Sequence, residues 1–223
     1  MIKRVLPNVR MVKGYSNSYA IEFDDYWILI DAGMDRKAKE IIEILEERKK
    51  EVKAILITHA HLDHINGLAK IKERFPKALV CCSEAEKNAV EGKEMILPKG
   101  FKRYLFKFLS FFIRYRGVKV DRILEEGKFL DFEIIKTPGH TEGSLSFLLK
   151  LKGRNLLWVG DLVVNEENKL GLAPKEFNWD EKEIVNSLRK ILRIRIDCLL
   201  PGHGEVIKEK VNERLESFVS TLG

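Results

Sequence analysis

The sequence predicts an α+β fold in which two sheets pack face to face with helices outside. Three observations carry this expectation. The chain has 223 residues, enough for one large domain with a substantial core. Its pattern is halved: strands, helix, strand, helix, strand, helix in the first part, then strands, helix, strand, helix in the second. Neither half can bury its apolar faces without helices on one side and a second layer on the other.

The elements follow in order. Val9–Lys13, Asn17–Phe23 and Tyr26–Asp31 alternate as strands, with turns at Gly14-Tyr15-Ser16 and Asp24-Asp25. Residues 35–50 show helical spacing through Ala38, Ile41, Ile42 and Leu45. Ala54–Thr58 is a short apolar strand, and the helix after it opens near Asp63 or His64 and ends before Pro76. Ala78–Cys82 is a further strand, with Ser83 placed to cap a helix over Glu84–Val90. Strands are expected at Asp121–Leu124, Glu133–Thr137, Ser144–Leu149 and Asn155–Val159. Asp180 with Glu183 opens a helix running to Leu192, Asp197–Leu200 is the last strand, and Lys208–Leu222 the last helix. The stretch Val164–Asp180 has no clear element; Asn165, Lys169 and Lys175 within it are read first as surface polar residues and second as substrate contacts.

Composition describes a globular chain, with 45% hydrophobic and 33% charged residues. The Met1–Pro7 start has no long apolar run, so no signal peptide is expected, and no window approaches a membrane span. Three cysteines, two of them adjacent at Cys81 and Cys82 and one at Cys198, make a poor disulfide framework and point to packing thiols in a reducing cytoplasm. Glutamine is absent while Lys, Glu and Ile abound, a bias that fits a thermostable protein.

All five histidines fall where metal ligands would. His59, His61 and His64 lie in Thr58-His59-Ala60-His61-Leu62-Asp63-His64, His140 in Thr137-Pro138-Gly139-His140-Thr141, and His203 in Pro201-Gly202-His203-Gly204. Asp63 and Asp161 complete a set of seven. Each cluster follows an apolar strand, and Gly139, Gly160, Gly202 and Gly204 flank His140, Asp161 and His203, so loops at one sheet edge can bring the side chains together. Imidazole and carboxylate suit zinc, iron and manganese. Seven donors exceed one tetrahedral ion and suit two ions sharing a carboxylate.

These motifs, with Ile30-Asp31-Ala32-Gly33 and Gly160-Asp161, resemble the metallo-β-lactamase superfamily in its branch of glyoxalase II-like hydrolases. The resemblance runs in order along essentially the whole chain. It implies a four-layer αββα sandwich, a single domain over 1–223, and two divalent metal ions, zinc first with iron or manganese as alternatives. It further implies that His59, His61 and His140 bind one ion, that Asp63, His64 and His203 bind the other, and that Asp161 bridges them. Asp31 would support the ligand loop through hydrogen bonds. A hydroxide shared by two such ions attacks a carbonyl or phosphoryl centre, with Asp63 and Asp161 as the catalytic carboxylates that orient it. Ester, thioester or lactone hydrolysis of a small molecule is expected first. The alternatives are a phosphodiesterase or nuclease, a non-haem iron sulfur dioxygenase, and a non-catalytic binding scaffold. Only 20 residues follow His203, so the helical region with which glyoxalase II enzymes grip glutathione is not expected.

One segment stands apart. Gly92–Lys119 carries eight Lys or Arg against one acid, Glu94, with an apolar stripe at Phe101, Tyr104, Leu105, Phe108, Leu109, Phe112 and Ile113. It reads as an insertion that packs as a helix or a homodimer contact, or serves as an active-site lid, with a membrane-surface or nucleic-acid role as lesser options.

Overall fold

A computed structural model of the chain describes residues 1–100 and 115–222. The apolar stripe from Phe101 to Ile113 lies outside the described residues. The described chain forms two compact units, one of residues 1–96 and 115–123 and the other of residues 97–100 and 124–222.

The first unit holds a seven-stranded sheet in sequence order: β1 (Ile2–Leu6), β2 (Val9–Lys13), β3 (Asn17–Glu22), β4 (Tyr26–Ile30), β5 (Glu51–Leu56), β6 (Leu79–Cys82) and β7 (Arg122–Ile123). The first four pair antiparallel through short turns, and β4 to β7 pair parallel. Strand β1 is an addition to the expected set. It is an edge strand, exposed at Ile2 and Arg4 and buried at Val5, with a register shift between Arg4 and Leu6, so its sequence lacks clean alternation.

Helices α1 (Lys39–Glu46) and α3 (Leu68–Arg74) pack on this sheet, joining Ile41, Ile44, Leu45, Leu68 and Ile71 to Leu29, Ile55 and Val80. Each such fully buried side chain contributes about 1.5–3 kcal/mol. Helix α1 starts later than its apolar spacing suggests. The Asp35 carboxylate accepts the amides of Lys37 and Lys39, and Ala38 takes a left-handed φ of 47°, so residues 35–38 form a turn. The single helix expected from Asp63 to Pro76 is two, α2 (Leu62–Ile65) and α3. The Asp63 carbonyl accepts from Ser16 Oγ, and the Gly67 amide turns instead to Gly33 O at 3.1 Å. A β-carbon at Gly67 would sit 2.3 Å from Ala32 O, so glycine is required at the break. Over Glu84–Val90 the expected helix is a 3-10 turn, Glu84–Glu86, running into α4 (Lys87–Val90), and the Ser83 hydroxyl makes no capping bond.

The second unit holds a five-stranded sheet ordered β14–β11–β10–β9–β8, with β8 (Gly127–Phe129), β9 (Phe132–Lys136), β10 (Leu145–Leu151), β11 (Arg154–Gly160) and β14 (Cys198–Pro201). Its helices α5 (Glu181–Ile191) and α6 (Val211–Val219) cover one face through Ile184, Leu188, Ile191 and Leu215. On other positions of the sheet Phe132 meets Trp158 with ring centroids 5.8 Å apart. Helix α5 begins as its sequence suggests, because Asp180 Oδ1 accepts the amides of Lys182 and Glu183. The unplaced stretch contains a hairpin of β12 (Val164–Glu166) and β13 (Lys169–Gly171). Its turn residues, Glu167 and Asn168, both have positive φ; without the usual Asn-Gly pair the turn gives little sequence signal.

In each unit the strands that deliver candidate ligands run the same way. β4 and β5 are parallel neighbours. β9 and β11 are both antiparallel to β10 and hence parallel to each other, and β14 is parallel to β11. The carboxyl ends of these strands therefore share one edge within each sheet, where ligand sites in α/β sheets form.

Candidate metal centre

In the first unit, β5 ends at Leu56 and passes Ile57 and Thr58 to His59. His59 and His64 are fully buried, His61 nearly so, and Asp63 partly exposed. His61 is the extended residue that opens α2, which carries Asp63 in its first turn and His64 one position on. The imidazoles crowd together: His59 lies 4.9 Å from His61 edge-on and 4.1 Å from His64 between ring centroids. His64 Nε2 is 3.5 Å from Asp63 Oδ2.

The loop is fixed from beneath by Asp31, which follows β4. Its Oδ1 accepts the Thr58 amide at 2.8 Å, and its Oδ2 accepts the Thr58 hydroxyl at 2.7 Å and His64 Nδ1 at 2.9 Å. Proton counting then sets the ring tautomers. A carboxylate only accepts, so His64 carries its proton on Nδ1. The single Thr58 hydroxyl proton goes to Asp31, so Thr58 Oγ1, 3.1 Å from His59 Nδ1, accepts from that nitrogen. Both rings thus present a lone pair on Nε2. Glu86, 1% exposed, accepts the Ala60 amide at 2.7 Å and holds the loop between His59 and His61.

In the second unit, His140 stands on the loop after β9, Asp161 directly after β11 and His203 shortly after β14. Asp161 Oδ2 lies 3.5 Å from His140 Nε2 and 3.2 Å from His203 Nε2. One carboxylate oxygen thus faces two imidazole nitrogens. Asn178 Oδ1 is 2.9 Å from His140 Nδ1, and Asn178 Nδ2 donates to Ala173 O at 3.0 Å. The second bond fixes which end of the amide faces the ring, so Nδ1 is the donor and Nε2 again carries the lone pair. The His203 loop is held by Asn165, whose amide nitrogen donates to His203 O at 3.2 Å and whose Nδ2 donates to Glu205 O at 2.7 Å. Asn165 is 1% exposed, which corrects its reading as a surface residue; Lys169 and Lys175 are exposed.

The donor chemistry fits divalent metal. Five imidazoles and two carboxylates are borderline donors, and three of the rings have tautomers locked to offer Nε2. Within the first unit His59, His61, Asp63 and His64 cluster, and within the second His140, Asp161 and His203 do. The arrangement does not suit a hydroxyl nucleophile. The hydroxyl beside His59 belongs to Thr58, is buried, and gives its proton to Asp31.

Sequence reasoning did not single out Asn178, Thr58 or Glu86. Asn178 lies 38 residues beyond His140 and Glu86 lies 26 beyond Ala60, so no local spacing connects either to its partner.

Comparison with known proteins adds the following. The family model of the metallo-beta-lactamase superfamily matches residues 11–203. A probable metallo-hydrolase of Bacillus subtilis, YflN, is 32% identical over 201 residues, 80% of this chain and 75% of its own length. Hydroxyacylglutathione hydrolase GloC of Haemophilus influenzae is 26% identical, covering 86% of this chain and 87% of its own. The crystal structure of TTHA1623 in a di-iron-bound form superposes with a TM-score of 0.71 at 22% identity, over 93% of this chain and 98% of that one. The shared fold is thus an α+β sandwich of the type the sequence predicts. Among the described residues no helix is long and apolar enough to cross a membrane.

Proposed function

The chain belongs to the metallo-beta-lactamase superfamily and is a metal-dependent hydrolase; from that premise we propose that it cleaves an ester, thioester or lactone bond in a small molecule. The observation that carries the reading is the Asp161 carboxylate oxygen lying within 3.5 Å of both His140 Nε2 and His203 Nε2. One oxygen so placed suits a carboxylate shared by two ions. In this reading His59, His61 and His140 would hold the first ion and Asp63, His64 and His203 the second, with Asp161 shared between them.

Two divalent ions, when bound, lower the pKa of water and polarise the scissile bond. The chain's own residues do the rest. Asp31, Thr58 and Asn178 keep the proton on the Nδ1 side of three imidazoles, so each ring meets a cation as a neutral donor. Asp63 and Asp161 would orient the attacking water, and one of the two carboxylates would take up its single proton. Burial of His59, His64, His140 and Asp161 keeps bulk water from competing for these positions.

A thioester gains weight from the GloC relative, which has that type of name and is matched over most of its length. Zinc remains the first candidate metal, with iron supported by the di-iron form of TTHA1623. Cysteines Cys81, Cys82 and Cys198 are buried thiols without disulfides, in keeping with a cytoplasmic enzyme.

The test is elemental analysis of purified protein, followed by esterase, thioesterase, lactonase and phosphodiesterase assays on the metal-loaded form. Two equivalents of metal with turnover of a carbonyl ester or thioester are expected. Turnover confined to phosphodiesters would move the assignment to the nuclease alternative, and absence of bound metal would reject the centre.

A further inference from the structure

The geometry points to Asn178 as a positioning residue that makes His140 a competent metal ligand, an inference that rests on the metal centre proposed above. Asn178 is 2% exposed, and its amide bridges two partners. Oδ1 accepts from His140 Nδ1 at 2.9 Å while Nδ2 is spent on Ala173 O at 3.0 Å. A polar side chain at this depth is retained only when its bonds are satisfied, and here one of them decides which nitrogen of a ligand ring bears hydrogen.

The backbone around Asn178 explains how the distance is held. The Trp179 amide donates to His140 O at 2.9 Å and the Asp180 amide to Gly139 O at 2.8 Å. Ser187 Oγ, one helical stretch on, donates to Pro138 O at 2.7 Å. Residues 178–187 therefore grip the loop 138–140 at three carbonyls, and the Asn178 side chain adds the contact that reaches the imidazole. Without it Nδ1 and Nε2 would compete for the proton, and the ring would turn about its Cβ–Cγ bond. The two half-sites orient their rings with different chemistry. Asp31 offers His64 a charged acceptor, and Asn178 offers His140 a neutral one.

The test compares Asn178→Ala, Asn178→Leu and Asn178→Asp with the wild-type chain. Asp keeps an acceptor opposite Nδ1 and loses the donor to Ala173, so it separates ring orientation from a loop-pinning role. Leu fills the volume without an acceptor and stands in for Ala should that variant fail to fold. Zinc affinity is read by competition with a chromophoric chelator, and ligand geometry by the visible spectrum of the cobalt(II) form. Ala and Leu are expected to weaken one of two ions about 10–100-fold and to alter the cobalt spectrum, while Asp stays within about threefold of wild type. Wild-type affinity and spectrum in Leu would overturn the inference, as would an Asp variant impaired as severely as Leu. A wild-type chain that binds neither zinc nor cobalt would instead reject the centre itself, and this inference with it.

Discussion

The Asp31 carboxylate and the His64 imidazole meet at 2.9 Å, Oδ2 to Nδ1, across 33 residues of chain. The same oxygen takes the Thr58 hydroxyl, and its twin takes the Thr58 amide. One side chain therefore anchors both ends of the His59–His64 run. It does so from a left-handed backbone position, φ 57°, that Asp and Asn tolerate better than other side chains.

Replacing this carboxylate separates its roles. Asp31→Ala strips three buried donors of their acceptor, each costing about 1–3 kcal/mol, so a net loss of about 3–5 kcal/mol is expected in urea unfolding of the metal-free protein. Asp31→Asn keeps the backbone conformation and one acceptor, and should lose less stability. Its oxygen can still accept from His64 if the NH2 group turns to the Thr58 amide, so Asp31→Ala, which leaves His64 no acceptor, is expected to weaken metal affinity about 10–100-fold and Asp31→Asn less. Equal metal affinity in Asp31→Ala and wild type would show that the Asp31 contact does not govern ring orientation.

His59 and Asp161 test the centre directly. His59→Ala and Asp161→Ala should each reduce hydrolysis on the order of 10³-fold, the equivalent of about 4 kcal/mol of lost electrostatic stabilisation. Far-UV circular dichroism should remain that of the wild type. Retained turnover in both variants would reject the proposed site.

How much of this was legible in the sequence depends on the range of each interaction. His59, His61 and His64 stand out because the signal is local: an apolar strand, alternating histidines and then a helix start. Asp180 is legible for the same reason, its two capping bonds reaching only two and three residues ahead. The α2–α3 break is not. It is set by Ser16, Gly33 and Ala32, which only the folded sheet brings to Asp63 and Gly67. Asn178 is hidden on similar grounds, an ordinary polar residue in an irregular stretch until β9 and the start of α5 are in place. The resemblance supplied the expectation that Asp31 steadies the ligand loop; the three bonds it makes could not be read from Ile30-Asp31-Ala32-Gly33.

The buried thiols give the protein an alkaline limit. Burial pushes Cys81 up to about 12, with Asp121 adding to the rise, and pushes Cys198 up to about 11. An unfolded thiol ionises near about 8.5. Below that pH both states are protonated and the stabilisation is intact. As pH rises towards 11, the unfolded chain loses protons that the folded chain retains, so stability falls by up to about 1.4 kcal/mol per pH unit per thiol. Urea midpoints between pH 8 and 10 should therefore drop less steeply in Cys198→Ala than in wild type. Identical slopes would mean that Cys198 is accessible to water.

Gly139 gives the sharpest steric prediction. Its φ is +137°, and a β-carbon there would lie 2.4 Å from Ile184 N and 2.5 Å from Ile184 Cγ1. Neither neighbour can withdraw easily: Ile184 is fully buried in the first turn of α5, and its amide donates to Asp180 O at 3.1 Å. Gly139→Ala thus combines backbone strain with overpacking, about 3 kcal/mol together. Gly153 offers the control, since its φ is also positive, at +78°, but a β-carbon would have nothing within 4 Å. Gly153→Ala should cost only the backbone strain, about 1 kcal/mol. The two variants should separate in urea midpoint at an unchanged slope. Gly139→Ala alone should also lose metal, because pushing residue 139 away from α5 moves the adjacent His140 ring off Asn178. Full metal content in a destabilised Gly139→Ala protein would show that the His140 loop adjusts independently of the helix behind it.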